Sequence, residues 1–159
     1  MTLRNPSAAC FSTPSICASI PEDIVGFCDA KKAVFRPSCY EFVGFLAYSR
    51  TVDTKDSFAA CKKIPKEFRE NCQERIGEAY FSILERDPEK IVKGCEIGTG
   101  EEIDRCIEGA VRSSIYGAAS SFGVLGSKFC SLLQNEKSQT ICFEFLGGEI
   151  EAVHGQERR

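Results

Sequence analysis

The amino-acid sequence predicts an all-α fold, an α-solenoid of about four helical hairpins, each stapled by a C-x10-C type disulfide. Ten cysteines in a chain of 159 residues recur in pairs of regular spacing. The first cysteine of successive pairs returns after 33, 34 and 35 residues, which is the length of a two-helix repeat. The segments that follow the second cysteines carry apolar residues at helical intervals, as in NCQERIGEAYFSIL.

Cysteine spacing is the strongest of these observations. Three pairs enclose ten residues and a fourth encloses eleven: Cys28–Cys39, Cys61–Cys72, Cys95–Cys106 and Cys130–Cys142. On one straight helix such a pair would lie ~16 Å apart, whereas a disulfide needs Cα atoms within ~7 Å. Turn residues such as Pro65 let the chain double back, so we predict a disulfide inside each hairpin. A closed loop of this size stabilises by about 3 kcal/mol.

The repeat period divides the chain. We expect an N-terminal cap over 1–20, tied by Cys10–Cys17, and a C-terminal tail over 153–159. The helical-repeat domain spans 21–152, with repeats over 21–53, 54–87, 88–121 and 122–152. Two helices in each repeat give predicted helices near 21–30, 35–51, 54–64, 67–86, 88–97, 101–120, 122–134 and 137–152.

Other cysteine chemistries fit the motifs less well. Structural zinc favours C-x2-4-C knuckles and histidine, and the chain has neither a knuckle nor any histidine besides His154. A redox-active dithiol favours C-x-x-C, and covalent haem needs C-x-x-C-H. Neither motif occurs, so we expect structural disulfides with no metal and no cofactor.

Two sets of residues are candidates for binding a partner. A glutamate stands two residues after the second cysteine in every repeat: Glu41, Glu74, Glu108 and Glu144. These carboxylates either stabilise their helices by lying near the positive end of the helix dipole or form an acidic row that binds a cationic partner. Phe143 and Phe145 make the fourth repeat apolar where a terminal repeat usually has a polar cap. We therefore expect this end to dock on another protein or another copy.

Composition bounds the function class and the compartment. The net charge of −3 and the absence of an arginine-rich run argue against a nucleic-acid partner, and no apolar run reaches the ~20 residues that span a bilayer. The high, even cysteine content is typical of an oxidising compartment. The start MTLRNPSAACFSTPSIC has no apolar signal core, so either a signal was removed or another route is used.

The residues CEIGTGEEIDRCIEGAVRSSIYG and CQERIGEAYFSILERDPEKIVKGC resemble Sel1-like repeats of the tetratricopeptide superfamily, in particular those of bacterial cysteine-rich secreted proteins. The apolar-Gly-x-x-Tyr pattern of that family matches Ile76, Gly77 and Tyr80, although the family spacing is C-x7-C. The resemblance implies an α-solenoid that binds proteins or peptides. Twin-cysteine proteins of the mitochondrial intermembrane space, which use C-x9-C, are a second comparison.

The sequence therefore predicts a non-enzymatic, extracytoplasmic interaction or scaffold module whose surface is held rigid by disulfides. Its partner would be a protein or peptide, and the fourth repeat could form a homo- or hetero-oligomer. The alternative is an accessory subunit or assembly factor of a membrane-associated complex, in the periplasm or the mitochondrial intermembrane space. No nucleophile with a base and no phosphate-binding loop stands out, so we expect no catalytic residues.

Overall fold

A computed structural model describes residues 20–51, 53–84, 86–116 and 123–156, and within these ranges all regular structure is helical. Nine α-helices lie in the described ranges: α1 Ile24–Asp29, α2 Arg36–Glu41, α3 Val43–Thr51, α4 Thr54–Lys63, α5 Arg69–Ile83, α6 Pro88–Cys95, α7 Glu101–Tyr116, α8 Val124–Leu132 and α9 Glu136–Gln156. Two single-turn 3-10 helices, Ala33–Phe35 and Lys66–Phe68, precede α2 and α5. The all-α prediction is confirmed.

A disulfide joins the two arms of each of four hairpins. The pairs are those predicted: Cys28–Cys39, Cys61–Cys72, Cys95–Cys106 and Cys130–Cys142. The two Cα atoms of a pair lie 5.4–5.8 Å apart, because the chain reverses direction between the two cysteines. The predicted cap and its Cys10–Cys17 bond fall outside the described residues, apart from residue 20. Four disulfides indicate an oxidising compartment.

Aspartate residues cap the N-termini of the first helices in three of the four hairpins. The side chains of Asp23, Asp53 and Asp87 accept backbone N–H groups at the starts of α1, α4 and α6. Each carboxylate satisfies an N–H group that has no partner inside the helix. Pro88 follows Asp87 at the first position of α6, where a missing N–H costs nothing. These aspartates are the sequence signals that set the repeat boundaries.

Helix bounds differ most from the predictions at two places, and the other described ends lie within three residues of the predicted ones. The predicted helix 35–51 is interrupted at Phe42, so α2 and α3 are separate segments. The fourth long helix, α9, continues to Gln156 rather than stopping near residue 152. The end of the predicted helix 101–120 lies partly outside the described residues.

The long arms of the hairpins pack on one another in chain order. The α2–α3 arm contacts α5, α5 contacts α7, and α7 contacts α9. The α5–α7 approach is the closest, because Gly77 and Gly109 place no side chain between the backbones. A Cβ atom on Gly77 would lie 1.8 Å from the carbonyl oxygen of Cys106. The disulfides and the aliphatic and aromatic residues between these arms form one core.

Candidate interaction surface

A stripe on the long arm of each of the first three hairpins faces the next hairpin. It consists of the residues one, five and nine positions after the second cysteine, which share a helix face because they are four apart. In the first three hairpins these residues are Tyr40, Gly44 and Tyr48; Gln73, Gly77 and Phe81; and Ile107, Val111 and Ile115. All nine are buried. The stripe is therefore the recurring contact between hairpins.

Contacts at the first stripe show how one hairpin seats on another. The ring of Tyr40 stacks on Phe68 of the second hairpin, with centroids 5.2 Å apart. The backbone N–H of Gly44 donates to the Sγ atom of Cys72 at 3.3 Å. Tyr48 meets Tyr80 edge-on, with centroids 4.9 Å apart. The second stripe repeats the pattern, since the amide of Gln73 donates to Glu102 of the third hairpin at 3.4 Å.

In the fourth hairpin, the part of the chain that the structure describes leaves the equivalent stripe exposed. Phe143, Gly147 and Glu151, here called the terminal stripe, are all exposed on α9. Phe143 keeps 44% of its surface accessible, whereas the equivalent Tyr40 keeps 4%. A Cβ atom on Gly147 would meet nothing within 4 Å, in contrast to its equivalents Gly44 and Gly77. Among the described residues nothing covers the terminal stripe, whereas its equivalents in the other three hairpins are buried.

The repeated glutamates lie on a different side of the long helices, and an arginine of the next hairpin reaches one of them, Glu74. The Nη1 atom of Arg112 lies 2.6 Å from Glu74, and its Nε atom lies 3.2 Å from Glu149. Arg112 therefore ties α5, α7 and α9 together. Burial lowers the pKa of its guanidinium, but the bonds to Glu74 and Glu149 raise it further, so the net shift is upward.

A second arginine makes a smaller bridge. Arg105 lies 2.9 Å from Glu108 on its own helix and 3.1 Å from Glu70 on α5. Burial raises the pKa of Glu108 above its ordinary value, and the hydrogen bond from Arg105 opposes that rise. The pKa of Arg105 is raised, chiefly by the same hydrogen bond. The contact itself favours the ionised form of both groups, but for Glu108 the effect of burial is larger.

Aromatic side chains lie against two arginines of this side, Arg75 and Arg112. The guanidinium of Arg75 lies 5.3 Å from the ring centroid of Phe42, and that of Arg112 lies 5.2 Å from Phe145. Such cation–π contacts are attractive, by about 0.5–1 kcal/mol where exposed. Tyr116 is 59% exposed and donates its hydroxyl to Glu149 at 3.1 Å. We call this surface the long-helix face; it consists of Phe42, Glu74, Arg75, Arg112, Tyr116, Phe145 and Glu149.

The six residues predicted to bind a partner therefore fall into two groups, those that contact other residues of the chain and those that are exposed. Glu74 and Glu108 pair with arginines of the chain itself, and Glu41 accepts a hydrogen bond from Asn71 at 3.3 Å. Glu144 and Phe143 are exposed, whereas Phe145 is half-buried beneath Arg112. None of the four glutamates lies in the first turn of its helix, so the helix-dipole interpretation was wrong.

Arg105 and Arg112 were missed by sequence reasoning. Neither recurs in the other repeats, so a search for repeated polar positions passes over them. One signal was present: Glu108 and Arg112 are four residues apart and share a helix face. That signal would have marked the face but could not have identified Glu74, which lies 38 residues away, as the partner.

A cleft of about 200 Å³ lies on the short-helix side, between α1, α3 and α4. Charges of both signs line it, from Asp23, Arg50, Asp56 and Lys63. Arg50 spans the cleft and donates to the carbonyl oxygen of Glu22 at 2.7 Å. Over the described ranges, histidine, cysteine and acidic side chains form no group of three or more suited to a metal ion. His154 lies within α9.

Comparison with protein-family models, curated proteins and solved structures yields no match to this chain. The Sel1-like relationship therefore stays a prediction from the residues. Among the helices described, none combines the length and apolar character needed to cross a bilayer.

Proposed function

We propose that the protein is a non-enzymatic, extracytoplasmic interaction module, a short α-solenoid that presents the long-helix face to a protein or peptide partner. The observation that carries this proposal is the composition of that face. Arginine and aromatic side chains from all four hairpins lie side by side on it, and two of the aromatics, Phe42 and Tyr116, are exposed. These residue types dominate the binding energy of protein interfaces.

Rigidity supports the proposal. Each hairpin is closed by a disulfide, and six of the eight half-cystines are fully buried. Binding a partner with a rigid surface costs less ordering of side chains and loops than binding with a mobile one. A protein that works outside the cytoplasm lacks ATP-driven chaperones, so covalent staples are a physically suitable way to keep such a surface shaped.

Charge arrangement adds specificity. Arg112 is held by two carboxylates and lies against Phe145, so its position is fixed before a partner arrives. A guanidinium fixed in this way keeps donors that can bind a carboxylate or a carbonyl of the partner. Phe42, 44% exposed beside Arg75, supplies the apolar contact at the other end of the face. The partner expected is a peptide segment with both acidic and apolar side chains.

Site-specific photo-cross-linking in the native extracytoplasmic setting tests this proposal. A benzophenone amino acid replaces Tyr116 on the long-helix face, or Lys93, an exposed residue of α6, as the matched control. We expect a discrete heteromeric adduct from position 116 and none from position 93. Adding Phe42→Ala and Arg75→Ala should weaken adduct formation by at least about tenfold, because both contacts lie on the same face.

Equal adducts from both positions, or none from either, would contradict a binding role for this face. Mass spectrometry of the adduct also separates the two function classes. A water-soluble protein or peptide supports the interaction module, whereas a membrane-complex subunit supports the accessory-subunit alternative.

A further inference from the structure

We propose that the terminal stripe binds a second copy of this chain, through the loop of that copy's first hairpin, so that copies stack head to tail. This contact uses Phe143, Gly147 and Glu151 rather than the long-helix face. Its failure would therefore leave the proposed function untouched.

The loop of the first hairpin has the same local structure as the loop of the second hairpin, which packs on the stripe of the first hairpin inside the chain. Phe68 follows Cys61 by seven residues, lies in a 3-10 turn and stacks on the stripe residue Tyr40. Phe35 follows Cys28 by seven residues and ends the equivalent 3-10 turn. Each loop is braced by an arginine Nε that donates to the carbonyl five residues earlier, at 2.9 Å from Arg36 and 3.1 Å from Arg69.

Among the described residues, no stripe packs on Phe35 in the way that Tyr40 packs on Phe68. It is 60% exposed, and its neighbour Val34 is 74% exposed. At the other end, Phe143 occupies the position of Tyr40 and is 44% exposed. Phe35 of one copy on Phe143 of another would reproduce the Tyr40–Phe68 stack. Gly147 leaves room for the close approach made at Gly44.

Charge favours the same pairing. The first-hairpin loop carries Lys31, Lys32 and Arg36 around Phe35. The terminal stripe contains the exposed Glu151, and the exposed Glu144 lies next to it in the chain after Phe143. Opposite potentials steer association and disfavour loop-to-loop or stripe-to-stripe contacts between copies. The complementary surfaces lie at opposite ends of the hairpin series, so the contact is heterologous and leads to open chains rather than a closed dimer.

Complementation between two single-face variants tests the proposal. Phe143→Glu removes the stripe and Phe35→Glu removes the loop contact. Sedimentation velocity from micromolar to millimolar concentration should show concentration-dependent chains for the unaltered protein. Each variant alone should associate at least about tenfold more weakly. An equimolar mixture should form a dimer, because one intact loop and one intact stripe remain.

Ile97→Glu, at a residue 40% exposed in the third hairpin, is the matched control and should assemble like the unaltered protein. Circular dichroism shows whether each variant stays folded. A benzophenone side chain at position 35 provides a readout independent of these variants and should cross-link to α9 of another copy. A monomer throughout the concentration range, a mixture that fails to dimerise, or cross-links from position 35 to residues 1–19 would overturn the proposal.

Discussion

Gly77→Ala should destabilise the fold strongly, because this position brings α5 against α7. The added Cβ would lie 1.8 Å from the carbonyl oxygen of Cys106 and 2.8 Å from the amide nitrogen of Ala110. Relief requires the two backbones to separate by at least about 1.2 Å, since Cβ contacts under 3.0 Å essentially never occur. A gap of about 1 Å loses a quarter to a half of each dispersion contact along the helix pair. We expect the free energy of unfolding to fall by about 3 kcal/mol.

Urea denaturation followed by circular dichroism, with the disulfides intact, measures this loss. Gly147→Ala is the matched control, because Gly147 holds the same position in its hairpin and has open space around it. There the methyl group only improves helix propensity, so the free energy of unfolding should rise by about 0.5–1 kcal/mol. Equal effects at the two positions would refute the inference that Gly77 lacks a side chain because the backbone of α7 packs directly against it.

Three further changes test other parts of the structure. Replacing Cys61 and Cys72 together by alanine should lower the free energy of unfolding by about 3 kcal/mol, since the loop constraint on the unfolded chain is lost; an unchanged urea midpoint would contradict the staple. Arg112→Met should cost about 1 kcal/mol in low salt and less in high salt, whereas Lys90→Met, at an exposed pair, should change stability by under about 0.5 kcal/mol. Burial raises the pKa of Glu108, so its carboxyl group stays protonated to a higher pH in the folded protein than in the unfolded chain. The contribution of Glu108 to the free energy of unfolding therefore falls as the pH rises from about 4.5. Glu108→Gln should remove that slope from stability measured against pH, and an unaltered slope would assign it to another group.

Hairpins and pairings were predictable because they follow from local rules. Cysteines eleven positions apart cannot meet on one helix, so the chain between Cys61 and Cys72 had to turn. The repeat supplied the same inference four times. The aspartate caps and Pro88 marked where first helices begin. These features need only neighbouring residues, which the sequence displays directly.

Contacts between hairpins were not predictable in the same way. A glycine recurs at the positions of Gly44 and Gly77, but only packing shows what lies against each: side chains at Gly44 and the backbone of the next long helix at Gly77. Glu74 recurs, while its partner Arg112 occurs in a single repeat. The break at Phe42 also escaped prediction, because no proline or glycine marks it. Such features depend on how one hairpin is placed on another, and no spacing within a single repeat encodes that placement.

Disulfide mapping of the intact, unreduced protein tests the hairpin array most directly. Proteolysis without reduction, with free thiols blocked beforehand, should release peptides that join Cys61 to Cys72 and equivalent peptides for the other three hairpins. The same digest should show Cys10 joined to Cys17. A free Cys61, or a peptide joining it to a cysteine of another hairpin, would contradict both the architecture and the oxidising compartment inferred from it.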